Sequence, residues 1–183
     1  MTVYNASLIY MLFCFLIVVT IITASFAYGA ISAAPWVPMW QRDTERVLKI
    51  LKNLMQQNCI NKSHVYELGC GDARMLVALS RAGFRGVGFE ISILPFMIAV
   101  ARKFFKRANY TVKYKNFWFA SLSPADAVFF FLLPQIMPKL RAKLERELCP
   151  GAIVVSYVWP IPGWNPIIVD EVPRQPKIFV YER

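Results

Sequence analysis

Hydrophobic and polar positions fall into two regimes along the chain. From Met1 to Gln41 no side chain is charged, and "ASLIYMLFCFLIVVTIITASFAY" (Ala6–Tyr28) is apolar almost throughout. A helix needs roughly 20 such residues to cross a hydrocarbon core. No basic segment precedes the run, and it exceeds the apolar core of a secretory signal, so the pattern predicts a retained membrane anchor over residues 1–33. "PWVP" (Pro35–Pro38) lies in a stiff connector, 34–41. Beyond it, over 42–183, helical and strand periods alternate. Val47, Ile50, Leu51, Leu54 and Met55 mark one helical stripe between Arg42 and Asn58. Strands are predicted at Val65–Leu68, Arg85–Glu90, Thr111–Lys115, Ala127–Leu133 and Ala152–Tyr157, with two more near Ile167–Val172 and Lys177–Tyr181. Helices between them cover Asp72–Ala82, Ser92–Ala108 and Gln135–Leu148. In the second of these, Leu94, Met97, Ile98, Ala101, Phe104 and Phe105 share a stripe expected to face inward. Strands alternating with helices give an α/β, Rossmann-like sheet of seven strands with helices on both faces.

Charge adds an orientation and a partner. All 21 Lys and Arg and all 11 Asp and Glu follow the apolar run, so the net charge of +10 belongs to the folded part. Arg42, Arg46, Lys49 and Lys52 lie just past the span and no basic residue precedes it, which predicts the domain on the cytoplasmic or matrix side. Basic clusters at Ala101–Arg107, Val112–Lys115 and Lys139–Glu147 suit an anionic lipid surface, and beside an anchor lipid is favoured over nucleic acid. Cys14, Cys59, Cys70 and Cys149 show no C-x-x-C spacing, and His64 is the single histidine. No metal site and no disulfide framework is expected.

The chemistry concentrates in "VYELGCGDARMLVAL" (Val65–Leu79), a strand, a glycine turn and a helix. Ligands of open α/β sheets lie beyond the carboxyl ends of the strands, where strand order reverses. Gly69 and Gly71 let backbone approach a ligand, and the following helix offers free N–H groups. A dinucleotide wants G-x-G-x-x-G, but Arg74 stands at the third glycine and Glu67 would repel a phosphate. S-adenosylmethionine carries an ammonium, a carboxylate and a sulfonium, and no phosphate. Glu67 suits the ammonium. The turn suits the carboxylate, and Glu90, at the end of the second strand, suits the ribose hydroxyls.

"YELGCGDAR" followed by "GVGFEIS" resembles motifs I and II of the class I, seven-β-strand methyltransferases. The chain is most similar to their small membrane-anchored lysine methyltransferases, the group containing the mitochondrial methyltransferase of the ATP synthase c-subunit. "PWVP" resembles that group's segment before motif I, and "WPIPGWNP" (Trp159–Pro166) its late segment. The resemblance implies S-adenosylmethionine binding by Glu67, Gly69, Cys70, Gly71, Asp72, Glu90 and Ile91, with Asn116 and Phe117 at the adenine. Ala73 replaces a family glycine and is expected to be tolerated in the helix's first turn.

The resemblance also implies a membrane-associated protein as substrate, with lysine as acceptor. A lipid-soluble small molecule or phospholipid headgroup would suit an anchored enzyme equally well, and a non-catalytic scaffold would keep the same fold. A lysine must be deprotonated before it attacks, and apolar surroundings favour that. Trp36, Trp40, Pro134, Tyr157 and Trp159 are therefore candidates for the substrate side, against packing or the lipid interface as their simpler roles.

Overall fold

A computed structural model describes residues 2–32, 36–57 and 64–183. Pro35, Asn58 and Cys59 lie outside the described residues. The first helix, α1 (Thr2–Ser32), contains the apolar run. Its segment Ala6–Ala27 has a mean hydropathy of 2.6 and is unburied. At 1.5 Å per residue this segment is about 33 Å long, enough to cross a bilayer by length and composition. Helix α2 (Gln41–Gln57) buries Val47, Leu51 and Met55, as its period predicts.

Seven strands then form one sheet: β1 (His64–Leu68), β2 (Arg85–Glu90), β3 (Tyr110–Tyr114), β4 (Ala127–Phe130), β5 (Ile153–Tyr157), β6 (Ile168–Asp170) and β7 (Ile178–Glu182). Their order is β3-β2-β1-β4-β5-β7-β6. The first five are parallel, and β7 runs antiparallel to β5 and β6. Helices α3 (Arg74–Arg81), α4 (Ile93–Phe105) and α5 (Met137–Glu147) connect them. β4 is buried along its whole length, as a central strand covered on both faces should be. Strand order reverses between β1 and β4, so a crevice opens beyond their carboxyl ends.

Two expectations need correction. The helix after the glycine turn starts at Arg74, two residues later than its period suggests. Ala73 is not in a helical turn: it is fully buried with φ 60° and ψ 27°, the left-handed conformation. Only glycine adopts that conformation at little cost, so alanine here carries backbone strain. The second correction concerns α4. Leu94, Met97, Ala101, Phe104 and Phe105 point outward and Ile98 is half-buried, while Pro95 and Ala99 face the sheet. α4 is apolar nearly all round, so periodicity marks a helix there without marking its inner face.

α2 is also tied to the far edge of the sheet. Tyr157 Oη donates to Asp43 Oδ2 at 2.7 Å. Arg46 donates to Asp43 Oδ1 at 3.1 Å, to Asp170 Oδ2 at 2.9 Å and to the Pro176 carbonyl at 3.0 Å.

Candidate functional site

β1 ends in Leu68, and Gly69 and Gly71 then turn the chain with φ of +73° and +52°. The Cys70 amide donates to the Phe89 carbonyl at 2.9 Å, joining the turn to β2. The Cys70 thiol packs where a Cβ on Gly88 would stand only 2.6 Å away, so the glycine of β2 makes room for it. Burial pushes this thiol's pKa well up, with help from the charges of Glu67 and Glu90. Cys70 therefore shapes the turn through its buried side chain.

The turn is clamped by the second acid. Glu90 Oε2 accepts from the Gly71 amide at 2.8 Å, and Oε1 accepts from the amides of Ile91 and Ser92 at 2.9 and 2.7 Å. A carboxylate offers about four lone-pair positions, so capacity for a further donor remains. Asp72 is held differently: Arg102 and Arg74 donate to its Oδ2 at 2.7 and 2.8 Å. Arg74 also donates to the Met39 carbonyl at 2.8 Å, strapping the connector across the turn. Nothing in single-residue patterning announces this Asp72–Arg74–Arg102 cluster.

Glu67 is the exceptional group. It is buried, and its Oε2 has no hydrogen-bond partner. Burial first, then the neighbouring charges of Asp72 and Glu90, push its pKa well above the usual carboxylate range, against a hydrogen bond from the Leu76 amide. A second orphan lies on the same crevice: the buried Trp36 Nε1 also lacks a partner. Unpaired buried polar atoms are rare and costly. One acceptor and one donor without partners, beside two left-handed glycines, match an amino acid's ammonium and carboxylate. The donor set thus fits S-adenosylmethionine.

Glu67, Gly69, Cys70, Gly71, Asp72, Glu90, Ile91 and Phe117 line one cavity with Trp36. Phe129, Phe131, Leu132 and Lys115, which sequence reading does not single out, complete the wall. Its enclosed volume is about 80 Å³, whereas ligand pockets usually hold about 300–1,000 Å³. The Trp36 indole packs against the turn, with its Cδ1 only 2.8 Å from where a Cβ on Gly71 would lie.

The other expected residues divide. Asn116 caps a short turn, its Oδ1 accepting from the Trp118 amide at 3.0 Å, and does not line the cavity. Tyr157 is buried, bonds Asp43, and supports Phe131 edge-on at 4.9 Å. Trp40 is exposed beneath the Arg42 guanidinium, and Pro134 and Trp159 are exposed and do not line the cavity. Of the five substrate-side candidates, Trp36 alone reaches the crevice. Among the described residues no cluster of His, Cys, Asp and Glu could hold a metal.

Comparison with known proteins agrees with this geometry. Residues 67–168 match the family described as the ANTKMT methyltransferase domain. A protein-lysine N-methyltransferase of Saccharolobus islandicus (strain REY15A) is 35% identical over 142 residues, covering 75% of this chain and 84% of its own length. The ATP synthase c-subunit lysine N-methyltransferase of Rattus norvegicus is 31% identical over 134 residues, covering 72% of this chain and 59% of its own. The chain thus spans little more than half the length of the rat protein. Among solved structures, an RNA methyltransferase of Salinibacter ruber in complex with S-adenosyl-L-homocysteine superposes with a TM-score of 0.72 at 26% identity, covering 80% of this chain and 93% of its own. S-adenosylmethionine is accordingly the cofactor. With the motif, the sheet order and the acids at both strand ends in agreement, the chain belongs to the ANTKMT methyltransferase-domain family.

Proposed function

We propose that this protein is an S-adenosylmethionine-dependent protein-lysine N-methyltransferase, anchored by α1 and acting on a membrane or membrane-proximal protein. The observation that carries the reading is that the cofactor crevice and the end of α1 share a wall. Trp36, which lines the crevice, stacks on Phe26 of α1 at 6.2 Å between ring centroids. Basic Arg42, Arg46, Lys49 and Lys52 follow the span, which supports a cytoplasmic or matrix-side domain. Lysine as acceptor is supported by the relatives' activities, two of which are directed at the c-subunit of ATP synthase and at the adenine nucleotide translocase.

When bound, S-adenosylmethionine supplies an electrophilic methyl group on a sulfonium. Glu67 would hold the ammonium, the Gly69–Gly71 turn and the Trp36 indole N–H would receive the carboxylate, and Glu90 would hold the ribose. Phe129, Phe131 and Leu132 give an apolar wall on the β4 side of the crevice. An amine desolvated there loses its proton more readily than in water, where a lysine's pKa is about 10.4. Positioning then supplies most of the acceleration, with no fixed general base required.

The test is transfer of radiolabelled methyl to membranes, followed by separation of protein, lipid and RNA. Label on lysine in a membrane protein is the expected result. Label in the organic extract or in RNA would overturn the acceptor assignment. Absence of binding heat with millimolar S-adenosylmethionine would instead favour a scaffold.

A further inference from the structure

We propose that the outward face of α4 rests on an anionic bilayer surface, with its apolar stripe in the headgroup boundary. Three observations carry this, and the proposal rests on reading α1 as a membrane span.

The first is continuity. The Ile93 amide, at the start of α4, donates to Ser25 Oγ at 2.8 Å. Ser25 lies in the last turn of the Ala6–Ala27 segment. If that segment spans, α4 begins at the membrane surface. The second is exposure. Met97, Phe104 and Phe105 are 61%, 80% and 79% exposed, and Leu94 and Val100 are exposed beside them. Phe104 and Phe105 stack edge-on against each other at 5.9 Å. Soluble monomers rarely leave such a patch uncovered. The third is charge. From Ile91 to Ala125 there is no acidic residue. Lys103 on the helix, and Lys106 and Arg107 just past its end, are exposed.

An apolar stripe with basic residues beside it is the pattern of a helix lying in a bilayer interface. A second copy of this chain would bring the same positive charge against itself, so lipid is the better occupant. Two attachments, α1 and α4, then fix the domain's roll about the span. Ile91 and Ser92 join the crevice directly to α4, so the crevice opens near the headgroups.

The full chain, carrying C14S, C59S and C149S, is reconstituted in vesicles containing anionic lipid. Nitroxide labels are placed at Met97→Cys, Phe104→Cys or Phe105→Cys. Phe13→Cys is the control in the span, and Glu171→Cys the control beyond β6, at the opposite edge of the sheet. The ratio of collisions with oxygen to collisions with a water-soluble nickel chelate is read by electron paramagnetic resonance. The expected result is a severalfold higher ratio at 97, 104 and 105 than at 171. A water-type ratio on α4 with a lipid-type ratio at 13 would overturn this proposal and leave the span intact. A water-type ratio at 13 would overturn both. Labels on α4 shielded from both probes would mean that a protein covers the stripe, and would overturn it too. Equal ratios in vesicles lacking anionic lipid would overturn the part assigned to charge.

Discussion

Replacing Glu67 with glutamine should move stability and cofactor affinity in opposite directions. The glutamine keeps the side chain's shape, and its carbonyl oxygen can still accept from the Leu76 amide. Its NH₂ takes the place of the unpartnered Oε2. The Glu67 pKa is raised in the folded protein, mainly by burial. A carboxyl shifted that way favours folding most when protonated. The advantage is present below the ordinary carboxylate range and is lost as pH rises through the higher folded-state value. At neutral pH the variant without ligand is therefore more stable than the parent, and the gap closes on acidification. Binding moves the other way. A hydrogen bond to a charged partner contributes about 1.5–3 kcal/mol, so the ammonium of S-adenosylmethionine is held roughly ten- to a hundredfold more weakly. Thermal unfolding across pH gives the first quantity and titration calorimetry the second. A variant less stable at pH 7, with unchanged affinity, would refute the assignment of Glu67 to the ammonium.

Three further outcomes follow from the same geometry. Gly71→Ala places a methyl 2.8 Å from Trp36 Cδ1 in a left-handed residue; it should lose about 1–2 kcal/mol from the backbone alone, and adding Trp36→Ala should recover the collision but not the backbone cost, as thermal unfolding of both variants will register. Ala73→Gly relieves about 1–2 kcal/mol of left-handed strain while forfeiting about 0.8 kcal/mol of methyl burial and about 0.5–1 kcal/mol of backbone entropy. Its melting temperature should therefore stay within about 4 °C of the parent, whereas a helical alanine would lose both quantities with nothing in return. Tyr157→Phe should cost about 1.5–3 kcal/mol by removing the bond to Asp43 and leave S-adenosylmethionine affinity unchanged in calorimetry.

Much of the fold was legible because its signals are local. β2 has the bounds that its pattern predicts, Arg85–Glu90, and α2 and β1 begin one residue before theirs. The acids at Glu67 and Glu90 stood out because strand ends are few and each carried a carboxylate. What was not legible depended on three-dimensional partners. The inner face of α4 could not be read from a helix apolar on almost every side. The left-handed turn at Ala73 follows from Arg74 starting the helix late, which no propensity marks. Trp40, Pro134 and Trp159 have no spacing constraint that separates a crevice residue from a surface one. Tyr157 looked like a wall of the site and is instead a prop behind Phe131.

Arg46 has a mechanical consequence. Its guanidinium reaches across to Asp170 and the Pro176 carbonyl, so β6, the shortest strand, sets where α2 sits. Trp36 is five residues before α2 begins. The last hairpin of the chain is therefore a lever on the cofactor's doorway from the opposite margin of the sheet, and trimming the carboxyl terminus would slacken the threshold long before it touched the binding groups.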